Sequence, residues 1–291
     1  MERTSRRAAT GGRRSDRASV TGSATTAALC NPAEWRRAVI PAEHGGWAFL
    51  GEPILLGLLV APSMAGAALA AAAIATFLAR QPLRLAAGDR RRGKHYPRTR
   101  VAEAALAALL FGGAAAMVAG LALARGPAWL ALAPALALGT VALAFELQRR
   151  AREAAAELTA ALALAGLAAA IPLAAGTPAA TSFGLWAVLA ARAVPAILYV
   201  RARLRLDREE PAATGAALTA HAFALGAVAA LATRGIVPWL AAGAMALLLA
   251  RAAWGLSSAR PRWRTAQIGV SEVLFGVVTV LATAIGVWIG A

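Results

Sequence analysis

The stretch PAEHGGWAFLGEPILLGLLVA, Pro41–Ala61, sets Glu43, His44 and Trp47 at the mouth of the first long apolar segment. It then carries Glu52 and Pro53 inside that segment. A charge within a membrane span is costly, so it faces a protein interior or a wet cavity. Glu52 therefore reads as a functional residue. Glu43 also has a plainer explanation, as an acid favoured by the dipole at a helix N-terminus. Beside His44, Gly45, Gly46 and Trp47, both explanations of Glu43 stay open.

Outward from this stretch the chain stays apolar. The 291 residues are 59% hydrophobic, against a soluble norm of about 45–50%, and mean hydropathy is +0.62. Several uninterrupted runs of about 20 residues make this an all-α polytopic membrane protein. Nine spans are expected, over about 43–61, 63–80, 101–124, 128–145, 158–175, 181–200, 212–233, 236–256 and 267–290. Residues 1–38 form a separate basic segment, with 1–30 rich in Ser, Thr, Gly, Ala and Arg and read as disordered. Residues 39–291 form the transmembrane domain. Arg6-Arg7 and Arg13-Arg14 precede no close apolar region, so a secretion signal is not expected. The single cysteine, Cys30, excludes an intrachain disulfide and a cysteine metal cluster.

The net charge of +16 does not point to nucleic acid, because the basic residues sit in short loops between apolar runs. Those loops are 80–100, 146–157, 201–211 and 251–264, and all four fall on the N-terminal side of a nine-span chain. By the positive-inside rule that side is cytoplasmic, the C-terminus is outside, and the protein is a multi-pass inner-membrane protein.

Two of these loops could carry chemistry. RQPLRLAAGDRRRGKHYPRTR, residues 80–100, holds Arg80 and Arg84 four apart, then Asp89, Lys94 and Tyr96. Arginine forks suit phosphate oxygens. The plainer alternative is a topology-setting loop that binds anionic lipid without specificity. RARLRLDREEP, residues 201–211, holds Arg201, Arg203, Arg205 and Asp207 in alternation with apolar residues, which is expected to unwind or end span 6. Arg192 lies within span 6 and needs a partner among Glu52, Glu146, Glu157 and Glu272. His221 reads as a satisfied core histidine. Gly286 and Gly290 have the spacing of a weak helix-packing signal.

The opening Pro41, Glu43, His44, Gly45 and Trp47, with RQPLRL and DRRRGKHYPRT further on, resembles the YwiC-like family of bacterial membrane proteins across about residues 38–290. That resemblance implies no particular activity. More distantly, the nine spans, the loops after spans 2 and 6 and the span-5 opening EAAAELTAALALAGLAAAIPLAAG are similar to the UbiA superfamily of intramembrane prenyltransferases. This second resemblance implies an isoprenoid or anionic-lipid ligand and, for an enzyme, prenyl transfer. Glu43 and His44 would then be the catalytic, proton-transferring pair. Trp47, Glu52, Arg80, Arg84, Asp89, Lys94, Tyr96, Arg192, Arg201, Arg205 and Asp207 would surround the ligand. The chain departs from that superfamily where its aspartate-rich motifs bind magnesium, offering one Asp per loop among arginines. Magnesium prefers carboxylate and phosphate oxygens, so a magnesium cofactor is disfavoured and no other is implied. The alternative is a transporter or lipid carrier with Glu52, Arg192 and Glu272 along its path, or a scaffold whose buried charges merely pair.

Overall fold

The computed structural model describes residues 44–94 and 96–290, with the backbone alone at His44 and Gly45. Ten helices follow one another: α1 (His44–Val60), α2 (Met64–Arg91), α3 (Pro97–Ala122), α4 (Trp129–Leu147), α5 (Ala154–Ala165), α6 (Leu167–Ala175), α7 (Ala179–Leu206), α8 (Thr214–Thr233), α9 (Trp239–Leu256) and α10 (Thr265–Ile289). Helices α5 and α6 make one span. With that pair counted once, eight helices are long and apolar enough to cross a bilayer, and α1 is a shorter apolar helix. The nine expected spans map onto these elements in order, and the protein is a polytopic helical bundle. Helices are what this composition must form, since a backbone in hydrocarbon has to satisfy its own hydrogen bonds.

The chain divides into two compact units, and the division runs through α2 and α3. The described part of the smaller is Ala75–Gly112, and the larger comprises Glu43–Ile74 and Gly113–Ala291.

In the smaller unit α2 does not stop at the expected membrane border. It continues past Pro82 to Arg91, so Arg80 and Arg84 stand one turn apart on a helix face. The chain then turns through Gly93, whose φ of +63° is left-handed. Asp89 fixes this turn. Its carboxylate accepts from Arg98 Nη2 at 2.9 Å and Nε at 3.2 Å, and from the Thr99 hydroxyl at 2.8 Å. Thr99 Oγ1 in turn accepts from the Tyr96 amide at 3.1 Å. Asp89→Ala should therefore raise hydrogen–deuterium exchange across residues 92–99 while leaving α7–α10 unaffected.

In the larger unit α7 is the hub, packed by α1, α5, α6, α8, α9 and α10. One side of the hub joins Leu185 and Leu189 to Leu56, Ala165, Ala168, Val280 and Ala284. The other joins Val188 to Val228, Ala241, Met245 and Leu248. Alanines lie among the larger side chains of both contacts, and small residues let helix backbones approach, which is how membrane helices gain packing energy. The α5–α6 break falls at Gly166, where the Trp186 indole N–H donates to the Leu162 carbonyl at 3.1 Å. Gly286 packs against Pro238 of this same chain, so its close-approach face is occupied internally.

Of the two outcomes expected of 201–211, unwinding or ending span 6, the structure shows the second. Alternating Arg and Leu does not unwind the helix, because α7 runs unbroken to Leu206. At about 100° per residue, Arg201 and Arg205 share one face and Arg203 projects to the other.

A buried charge network as candidate functional site

Burial selects the candidate. Arg192 stands midway along α7 and is 1% exposed; Glu52 of α1 is 6% exposed. Their Nη2 and Oε1 atoms lie 3.0 Å apart. The same Nη2 donates to the backbone carbonyl of Glu272 on α10 at 2.6 Å. Of the four partners open to Arg192 from sequence, the fold thus chooses Glu52 by side chain and Glu272 by main chain. Phe49, one turn before Pro53, faces the guanidinium with its ring centroid 5.5 Å away.

The network continues through Glu272. Its carboxylate meets Arg251 of α9 at 2.7 Å and 3.2 Å. Arg251 is held between two rings, 4.0 Å from the Tyr199 centroid and 4.9 Å from that of Phe275. Tyr199 meets His221 of α8 edge-on, with centroids 6.4 Å apart. His221 Nδ1 lies 2.8 Å from the Ala217 carbonyl oxygen. A carbonyl only accepts, so Nδ1 carries the proton and Nε2 is left basic in the neutral ring. Nε2 has no hydrogen-bond partner, which makes His221 a half-satisfied core residue rather than the satisfied one expected.

Two glycines make room for these side chains. A Cβ on Gly276 would overlap the Glu52 carboxylate, and one on Gly255 would overlap the Tyr199 hydroxyl. Both pairs therefore lie directly against a neighbouring helix backbone.

A second buried arginine shows what a structural role looks like. Arg203 is fully buried. Its Nε donates to Asp207 at 3.0 Å, its Nη1 to the Gly255 carbonyl at 2.8 Å, and its Nη2 to the Pro261 carbonyl. Asp207 also meets Arg260 Nε at 3.3 Å, and Arg260 Nη2 donates to the Leu206 carbonyl at 3.1 Å. All three nitrogens of Arg203 are engaged, and together they pin the α9–α10 connection to the end of α7. Asp207, expected near a ligand, is part of this clamp.

The other expected site residues fall as follows. Glu43 lies outside the described residues, and so does the side chain of His44. Trp47 is exposed on the first turns of α1. Arg84 and Lys94 are exposed, Arg80 is half-buried with its guanidinium 5.6 Å from the Phe77 ring centroid, and Tyr96 lies under Arg98 at 4.7 Å. Arg201 pairs with Glu157 at 2.9 Å and Arg205 with Glu210 at 3.4 Å, all partly exposed. Between α4 and α5, Arg150 donates to Glu153 and holds that carboxyl below its ordinary range. Among the described residues, no group of three or more His, Cys, Asp or Glu side chains gathers as a metal site.

Arg251 and Arg203 are the residues that a loop reading of the sequence misses. A helical reading recovers both. Arg192, Ala196, Tyr199 and Arg203 recur at 0, 4, 7 and 11, one face of a helix, and all are buried. Leu248, Arg251, Ala252 and Gly255 repeat the pattern on α9.

Residues 40–172 match the family model described as YwiC-like protein. The match takes in α1 with Glu52 and the whole smaller-unit turn. It ends at Pro172, before Arg192, Arg251 and Glu272, and is shorter than the resemblance expected over 38–290. No curated protein and no solved structure matches the chain.

Proposed function

We propose that this chain is a membrane carrier of a small anionic solute or anionic lipid, working through the Glu52–Arg192–Glu272–Arg251 network. The observation behind this reading is a chain of two arginines and two glutamates inside one helical bundle, with Glu52, Arg192 and Arg251 buried and Glu272 partly so. Buried ion pairs add little net stability, because desolvation offsets their attraction. Inside a membrane such residues mark ion and substrate paths. In this reading the Arg-rich loops face the cytoplasm of a bacterial inner membrane, by the positive-inside rule.

The test is uptake of labelled benzoate and geranyl phosphate into proteoliposomes. Net uptake is expected with the native protein and is expected to vanish in Glu52→Gln. Equal uptake by native protein, variant and empty vesicles would reject the carrier reading.

A second reading rests on the smaller unit. Arg84, Arg91, Arg92, Lys94 and Arg100 are exposed around the α2–α3 turn, with Arg80 one turn before Arg84. Asp89 is occupied by Arg98 and Thr99, which leaves arginine rather than a metal to meet a diphosphate. This arrangement favours a prenyl diphosphate or anionic-lipid site on the smaller unit, of the kind the UbiA resemblance implies. Prenyl diphosphates should then raise the melting temperature in detergent with EDTA present, in proportion to affinity. Loss of that shift in Arg80→Ala/Arg84→Ala would support it; no shift with any prenyl diphosphate would dismiss it.

A further inference from the structure

The two fully buried arginines of α7 differ in one respect that bears on mechanism. Arg203 spends every nitrogen on a partner. Arg192 does not: its Nε has no hydrogen-bond partner, although the residue is 1% exposed. Glu52 Oε1 lies 3.0 Å from Arg192 Nη2 yet is without a well-directed hydrogen bond. An unpaired buried donor carries its desolvation penalty unrelieved. The pair is therefore under-satisfied, and the preferred geometry of a guanidinium, an oxyanion across a fork of two N–H groups, is not the one Glu52 makes.

We infer that Glu52 and Arg192 form an exchange site, in which an oxyanion takes the Nε/Nη2 fork of Arg192 as a proton is taken by Glu52. This rests on the carrier reading and names its coupling. The charges balance. With both glutamates ionised, the four charged groups of the network sum to zero. A proton bound at a Glu52 oxygen neutralises that carboxylate and leaves one net positive charge, which one monoanion cancels. Either partner alone would leave a net charge in the bundle, and that cost ties proton to anion one for one. No bond to carbon forms or breaks; the proton moves from water to Glu52 and returns on release. The ligand class is an amphiphile with an oxyanion head, a carboxylate or a phosphate monoester. The head would replace the Glu52 carboxylate next to Phe49 and the Gly276 backbone.

The ionisable groups around the pair are few. Arg192 faces Glu52 from α7 and Glu272 from α10, with Arg251 of α9 beyond Glu272. Tyr199 and His221 lie behind Arg251. On α5, Glu157 is engaged by Arg201, and α6 has no ionisable residue. Earlier on α1 stand Glu43 and His44, whose side chains lie outside the description. His221 is the nearby group whose ordinary titration overlaps neutral pH, so the test must separate it from Glu52.

Isothermal calorimetry on the full chain in detergent, with benzenesulfonate as probe, makes that separation. The probe has no proton of its own between pH 5.5 and 8.5. Repeating each titration in buffers of different ionisation enthalpy counts the protons taken up. The expected result is one proton per anion, with affinity falling about tenfold per pH unit where the free site is ionised. Glu52→Gln keeps an amide oxygen for Nη2; it should bind the probe with no proton uptake and no pH dependence. His221→Gln should keep the coupling, and Arg192→Gln in the Glu52→Gln background should lose binding. Binding by the native chain without proton uptake, coupling that survives Glu52→Gln, or no binding to either protein would overturn the inference. Uptake of probe into vesicles without proton uptake would leave the carrier reading standing and reject only the exchange. Coupled binding without any flux would do the reverse. Benzoate and phenyl phosphate then rank the two head groups.

Discussion

Arg192→Ala should cost the folded protein roughly 3–5 kcal/mol, the range for removing one partner of a buried ion pair. The reason lies in what remains. Glu52 would stay at 6% exposure beside α10 with no cation against it, and the Glu272 carbonyl would lose its donor. Unfolding in mixed micelles should show the loss. Glu52→Gln/Arg192→Gln should recover much of it, since a neutral pair leaves no stranded charge. The size of that recovery measures how far the pair serves stability. Near-complete recovery fits a pair that folding does not need and that some other role must explain. A double variant as damaged as Arg192→Ala would instead make the pair a structural bond.

Arg203→Ala should be comparably destabilising, roughly 3–5 kcal/mol on the same grounds, and its damage should be local. It would leave Asp207 with Arg260 as its remaining cation and take the Arg203 donors from the Gly255 and Pro261 carbonyls. Limited proteolysis should then cut the chain between Ser257 and Arg264, a connection that the native clamp protects. The two arginines thus separate by repair. A neutral partner swap repairs Arg192, whereas no single swap repairs Arg203, because two of its acceptors are backbone. If Asp207→Asn/Arg203→Gln were as stable as the native protein, the clamp would not hold the α9–α10 connection.

The order of the helices and their membrane-crossing character followed from the sequence alone, because hydrocarbon admits only segments that satisfy their own backbone, and about 20 apolar residues are needed to cross it; of the nine expected spans eight are long enough, and α1 is shorter. The importance of Glu52 was legible for a related reason. A carboxylate among Leu, Ile and Phe has no cheap explanation. The ends of helices were less legible. Arg, Leu and Ala all favour helix, so α2 and α7 ran on past the membrane border suggested by charge. That set Arg80 and Arg84 on one helix face and buried Arg203 instead of its neighbours.

Pairing was decided by the tertiary structure. Arg192 and Glu52 are far apart in sequence, and four glutamates could have answered that arginine. Only the packing of α1 and α10 on the α7 hub, with Gly276 leaving space for a carboxylate, selects one. Charge sets how strongly a buried arginine demands a partner, but the partner is whichever group the helix packing brings within reach. The demand for a partner was thus legible in the sequence, and the close approach of three helices determined how it was met, including the Arg192 Nε that it left unmet.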